Sequence, residues 1–168
     1  MDERTYNIVG ALAIALHDQI MGAVEKGTDF SASASAALVN LLAFPNETID
    51  TLSGPIGLTG SGTVRLVDRL VAAELVERRV SDRDRRSVEL VLTNKGRKVA
   101  QRALNGRRAA IAKALSVLTQ DEKNSFSRAA EKVLAALTGD RHRADLICRL
   151  CDYQFCPQEI CPVEQAVE

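Results

Sequence analysis

The chain has no tryptophan, and among its 168 residues only two tyrosines and four phenylalanines. Its core must therefore be built from Ala, Leu, Val and Ile, which its apolar content of 46% can supply. The two histidines, His17 and His142, cannot assemble a Ser-His-Asp triad or a metal-water centre with their neighbours, so no enzyme is expected. His17 reads as a core or interface residue and His142 as a surface residue close enough to a cysteine cluster to stand in as a ligand. Net charge is lacking too: 22 basic residues balance 22 acidic ones. Only the distribution is informative, basic in the middle and acidic in the closing CPQEICPVEQAVE. No uninterrupted apolar run approaches the ~18 residues of a membrane helix. IVGALAIAL (Ile8 to Leu16) follows the acidic Asp2-Glu3 and continues without a clean cleavage pattern. It reads as a buried, dimer-forming helix of a cytoplasmic protein with no membrane partner. Gly54, Gly57, Gly60 and Gly62 lack both the preceding strand and the Gly-Lys-Ser/Thr ending of a phosphate loop, which argues against a nucleotide site. Gly60 and Gly62 instead let the backbone of a helix N-terminus approach a phosphate group.

What the chain does have is concentrated between Ser61 and Gly96. SGTVRLVDRLVAA has helical periodicity, with Leu66, Val67, Leu70 and Val71 on one side. Ser61, Arg65, Asp68 and Ala72 face the other way, flanked by Gly62 and Arg69. Short polar side chains with two arginines suit a major groove, because arginine donates two hydrogen bonds to a guanine edge. Two short strands follow, LVERRV and SVELVL, alternating so that Val76 and Val80 share one face and Val88, Leu90 and Leu92 another. Arg78, Arg79, Arg83, Arg85 and Arg86 are packed into this hairpin, as expected of a finger that tracks phosphates or enters a minor groove.

The stretch TVRLVDRLVAAELVERRVSDRDRRSVELVLTNKGRKV resembles the MarR family of winged helix-turn-helix regulators. The resemblance rests on Leu75-Val76 after the helix, on Asp84-Arg85-Arg86 in the wing and on Leu92-Thr93-Asn94-Lys95-Gly96 at the entry to the next helix. It extends more loosely from about Tyr6 to about Leu137. It implies a homodimer that binds a pseudo-palindromic operator in double-stranded DNA and releases it when a small molecule, a metal or an oxidant is sensed. It also implies that Arg86 enters the minor groove braced by Asp84, with Thr63, Arg65 and Arg69 at or near the base edges. Pro55, in LSGPIGL, departs from the regular helix usual there.

The expected architecture is mainly α with a small β-wing, dimerised by its N- and C-terminal helices. A long helix runs from about Asp2 to Lys26. A second spans Ala32 to Ala43 behind Ser31 as N-cap, and a short third runs from Ile49 to about Ser53. Beyond the wing, one helix runs from Asn94 to about Leu118, and another, capped by Thr119 with Glu122, ends at Gly139. Residues 1–30 and 94–139 are assigned to dimerisation, 31–93 to the winged helix-turn-helix, and 140–168 to a cysteine-rich segment.

All four cysteines, Cys148, Cys151, Cys156 and Cys161, lie in that segment, spaced C-x2-C-x4-C-x4-C. Cys148 and Cys151 are expected on one helical turn, and the prolines after Cys156 and Cys161 to bring the later thiols back. Such clustering in a cytoplasmic chain favours thiolate chemistry over structural disulfides. Zinc, an iron–sulfur cluster and a thiol redox switch remain open, beside an inert tail. The function so indicated is a sequence-specific DNA-binding transcriptional regulator, a repressor, with a metal or redox site at its C-terminus. The alternative is a cysteine-rich adaptor whose winged helix docks on protein.

Overall fold

The computed structural model describes residues 2–81 and 84–167. In chain order these form α1 (Glu3–Thr28), α2 (Ala32–Ala43), α3 (Ile49–Ile56), α4 (Gly60–Ala72), β1 (Val76–Val80), β2 (Val88–Leu92), α5 (Asn94–Ala114), α6 (Gln120–Thr138) and α7 (Arg141–Cys148). Each helix starts on a short polar side chain that accepts a hydrogen bond from the first turn: Asp2, Ser31, Thr48, Thr59, Thr93, Thr119 and Asp140. These caps satisfy N–H groups that the helix itself leaves unbonded, and Thr48–Thr51 and Thr119–Glu122 do so reciprocally. The expected α5 is interrupted: after Ala114 the chain tightens into a 3-10 turn, Leu115–Val117, before α6.

Helix α2 is the hub. Ala34 to Leu41 are buried without interruption, which its nearly all-apolar sequence permits, and around it pack α1, α3, α5 and β2. Leu52, Leu66, Leu70, Leu75, Leu90, Val99 and Leu104 complete the core. Leu150, from the cysteine-rich segment, joins the same cluster.

Helix α3 is longer than Ile49 to Ser53, continuing through Gly54 and Pro55 to Ile56. Proline in the last turn forfeits only its own hydrogen bond, and Gly57, in the left-handed conformation at φ 67°, closes the helix with Leu58 N–H donating to Ser53 O at 3.2 Å. The strands pair antiparallel with Val76 opposite Leu92 and Val80 opposite Val88, and Leu90 N–H donates to Glu47 O at 2.7 Å on the outer side of β2. The expected alternation holds only at the base. Val76, Leu90 and Leu92 are buried, whereas Val80 and Val88 are 62% and 44% exposed, because the hairpin extends past the helices that would cover them.

Of α1, only Val24 and Thr28 are buried. Its C-terminal part lies on α5 so closely that a Cβ on Gly106 would stand 2.8 Å from Ala23 O. Arg102 Nε donates to Gly27 O at 3.0 Å. Its other half exposes Tyr6, Ile8, Val9, Leu12 and Ile14, and α6 exposes Phe126, Val133 and Leu137. The buried dimer helix read from the sequence is thus bare in a single chain. By length and composition alone α1 would also suffice to cross a membrane.

One junction fixes the wing to α4. Thr93 N–H donates to Leu75 O at 3.0 Å, its hydroxyl to Glu74 O at 2.7 Å, and Gly96 N–H donates to that hydroxyl oxygen at 2.9 Å. Gly96 is so close to the end of α4 that a Cβ there would lie 2.0 Å from Leu75 O. Gly96→Ala is therefore expected to cost at least ~1–3 kcal/mol, the scale of overpacking against a rigid neighbour. Urea unfolding followed by circular dichroism measures this, and a midpoint equal to wild type would show that the backbones separate freely.

Candidate nucleic-acid interface and cysteine cluster

Helix α4 presents its outward face by simple periodicity: Ser61, Val64, Arg65, Asp68, Arg69 and Ala72 are exposed, while Thr63, Leu66, Val67 and Leu70 are buried. Thr63, expected at the base edges, is instead 0% exposed, and its hydroxyl donates to Thr59 O at 3.0 Å. It stands three, four and seven residues before Leu66, Val67 and Leu70, on their side of the helix, a spacing that already pointed inward. Val64, not anticipated, takes the outward place with 40% exposure. A branched methyl pair there can touch a thymine methyl group. Arg65 and Arg69 form no ion pair among the described residues, so both guanidinium groups are available to a ligand.

Arg78 is committed differently. It reaches back from β1 to Asp68 at 2.8 Å, tying the wing strand to the outer face of α4. The exposed Arg79 pairs with Glu77 at 2.7 Å. At the wing tip Asp84 accepts from the backbone N–H of Arg86 at 2.9 Å, and Ser87 N–H donates to Asp84 O at 2.8 Å. Asp84 thus shapes the turn through the backbone, leaving the exposed side chains of Arg85 and Arg86 without an ion-pair partner among the described residues. Arg83 lies outside the described residues.

Ser61 and Gly62 sit in the first turn of α4, where Thr59 Oγ1 accepts from Gly62 N–H at 3.2 Å. Anions are stabilised at such a terminus by the helix dipole. Arginines without ion pairs among the described residues, an exposed helix start and an arginine-bearing hairpin therefore lie on connected elements.

The cysteine-rich segment folds back on the domain. Helix α7 ends at Cys148, and one further turn carries the chain to Cys151, whose N–H donates to Cys148 O at 2.8 Å. Pro157 is extended, and a 3-10 turn at Gln158–Ile160 returns the chain so that Cys161 is buried near Cys148. The thiol of Cys148 is within hydrogen-bonding reach of Cys151 and Cys161, and that of Cys156 within reach of Cys161. Cys148 is held in its thiol form by its hydrogen bond to Cys151 and by burial, whereas Cys151 is pushed toward the thiolate by that bond and by Arg107. Burial and Cys161 raise Cys156. The four are free thiols. Soft sulfur donors of this number suit zinc or an iron–sulfur cluster. Among the described residues, however, no three His, Cys, Asp or Glu side chains are placed to hold a metal. His142 is exposed on α7.

The segment is anchored by more than sulfur. The Tyr153 ring meets Phe44, at the end of α2, edge-on at 4.8 Å, and Arg108 of α5 pairs with Asp152 at 3.3 Å while covering the Phe155 ring at 4.7 Å. Arg141 forms a two-pronged bridge to Glu164 at 2.8 and 2.7 Å.

No family model matches the chain. Over 103 residues, 60% of its length, it is 31% identical to the transcriptional repressor MprA of Escherichia coli, and it spans 58% of that protein. A MarR family protein from Bacillus stearothermophilus superposes with a TM-score of 0.67 at 25% identity, covering 79% of this chain and 95% of the other. A point mutant of MepR from S. aureus, bound to an oligodeoxyribonucleotide, superposes with a TM-score of 0.61 at 19% identity, covering 82% of this chain and 99% of the other. The chain shares the winged helix-turn-helix fold of these proteins and adds a cysteine-rich C-terminal segment.

Proposed function

We propose that the protein is a sequence-specific DNA-binding transcriptional regulator of the cytoplasm, a repressor. The observation that carries this reading is the pair of arginines on the outer face of α4, Arg65 and Arg69, left without ion-pair partners among the described residues while Arg78 is anchored to Asp68. The oligonucleotide-bound MepR and the repressor MprA support it by likeness. The exposed apolar side chains of α1 and α6 support a homodimer, since a bare stripe of this kind is normally buried against a partner. Two copies then present two reading helices to an inverted repeat with half-sites ~34 Å apart. An effector that repositions those helices releases the operator.

Fluorescence anisotropy with a selected operator and scrambled duplexes tests the reader. Arg86→Ala is expected to weaken all duplexes alike. Arg65→Ala should cost ~1–3 kcal/mol on the operator and blur preference at particular base pairs. Wild-type affinity in both variants would place the reader elsewhere. So would a strictly monomeric protein that binds at full strength.

For the C-terminal segment we infer a thiolate site that takes zinc or an iron–sulfur cluster, or else acts as a redox switch. The support is the mutual approach of Cys148, Cys151, Cys156 and Cys161. Metal analysis with an absorption spectrum and thiol titration of anaerobically purified protein separates these forms. Each single Cys→Ser change is expected to abolish bound metal, or oxidant sensitivity, because the four act as one unit. Single mutants that match wild type in metal content, oxidant response, stability and DNA binding would end the reading.

A further inference from the structure

Where α7 and the cysteine-rich segment cover the end of α2 and the flank of α3, they enclose a cavity of about 200 Å³. Its walls include Asn40, Phe44, Glu47, Asp145 and Tyr153, with Arg141 and Glu164 also on it. Asn40 is only 5% exposed, and its Oδ1 is buried without a hydrogen-bond partner, as is Oε2 of Glu47. A buried acceptor left unbonded costs stability, so two of them lining one cavity call for an occupant that donates hydrogen bonds.

The charges define that occupant further. Arg141 is engaged by Glu164 at 2.7 Å and stands only at the edge of Asp145, at 3.9 Å. Glu47 forms no ion pair among the described residues. Burial, reinforced by the negative charge of Asp145, pushes its carboxyl up to about 7. Three carboxylates, Glu47, Asp145 and Glu164, against one guanidinium already held by Glu164 leave the cavity short of positive charge. The rings of Phe44 and Tyr153, at 4.8 Å, supply faces and edges against which a cation or a short apolar stem can rest.

We propose that this cavity is the binding site of a small organic cation, an alkyl- or arylammonium whose N–H groups bond Asn40 and Glu47, and that its occupancy alters DNA binding. The volume lies below the ~300–1,000 Å³ of drug-sized sites, so the ligand is small. The route to the DNA-binding surface is short. Glu47 lines the cavity with its side chain, while its carbonyl accepts from Leu90 of the wing strand β2 at 2.7 Å. On the other wall α7 touches the end of α3, where a Cβ on Gly57 would meet Leu146 Cδ2 at 2.9 Å. Helix α3 leads directly into α4. An occupant that draws α7 toward Glu47 therefore bears on both the wing and the reading helix. The regulatory half of the proposal rests on the DNA-binding reading; the binding half does not.

Isothermal titration calorimetry of the full chain at pH 8, with butylammonium and benzylammonium chloride as probes, tests the site. The controls are 1-butanol, benzyl alcohol, sodium butyrate and sodium benzoate at matched ionic strength. The expected result is saturable binding of one ammonium probe per chain and none of its neutral or anionic counterparts. Glu47→Gln, at a half-buried position that tolerates an isosteric amide, should weaken it about tenfold or more, the weight of one charge-assisted hydrogen bond, and Asp145→Asn should weaken it as well by removing a neighbouring negative charge. Asp121→Asn, on exposed α6, should leave it unchanged. Equal binding of neutral or anionic counterparts, no saturable binding of either amine, or wild-type affinity in both cavity variants would overturn the site. An amine that binds as predicted without changing duplex affinity would overturn the regulatory half. Because the calorimetry contains no DNA, its failure leaves the DNA-binding reading standing, and failure of DNA binding leaves the cavity's test intact.

Discussion

The approach of Gly96 to Leu75 is the constraint on which the rest of the reading surface depends. Three elements meet there: the end of α4, the base of the two strands and the start of α5. Thr93 binds all three, capping α5 through Gly96 N–H at 2.9 Å while bonding Glu74 and Leu75 through its hydroxyl and its N–H. Lys95 adds a bond from its Nζ to Ala73 O at 2.9 Å. A side chain at position 96 would push the first turn of α5 away from the strand that begins at Val76. Wing and reading helix would then lose their common frame, because the Arg78–Asp68 bridge, exposed on both sides, is too weak to set it alone.

From that frame the division of labour among the arginines follows. Arg78 and Arg79 are consumed inside the protein by Asp68 and Glu77. Arg65, Arg69, Arg85 and Arg86 are exposed without such partners among the described residues. A chain with zero net charge can thus present a local positive surface, and a local surface is what determines encounter with a polyanion.

Much of this was legible in the sequence, because it is set by short-range rules. The N-caps Ser31, Thr48 and Thr119, the apolar face of α4 and the strand pair around the arginines all follow from residues within a turn or two of each other. Thr63 was legible too but misassigned: its spacing to Leu66, Val67 and Leu70 places it in the core. The outer ends of the strands were misjudged because alternation says which residues share a face, not whether anything covers that face. Leu150 could not be placed in the core, nor Asn40 and Glu47 opposite Asp145, since these contacts join segments distant in sequence and depend on where α7 docks. The C-terminal segment is packed on the end of α2 through Tyr153 and on α5 through Asp152, and Leu150 joins the central core.

The central claim is that the outer face of α4 and the wing form one electrostatic surface for double-stranded DNA. Its most direct test is the salt dependence of duplex affinity, measured for the wild-type chain and for Arg85→Ala. Counterion release predicts that the logarithm of the association constant falls linearly with the logarithm of salt concentration, with a slope of about −0.9 for each phosphate neutralised. The account predicts a steep slope for wild type that becomes shallower by about one unit in the variant. Duplex binding that is indifferent to salt, or a slope that Arg85→Ala leaves unchanged, would contradict it.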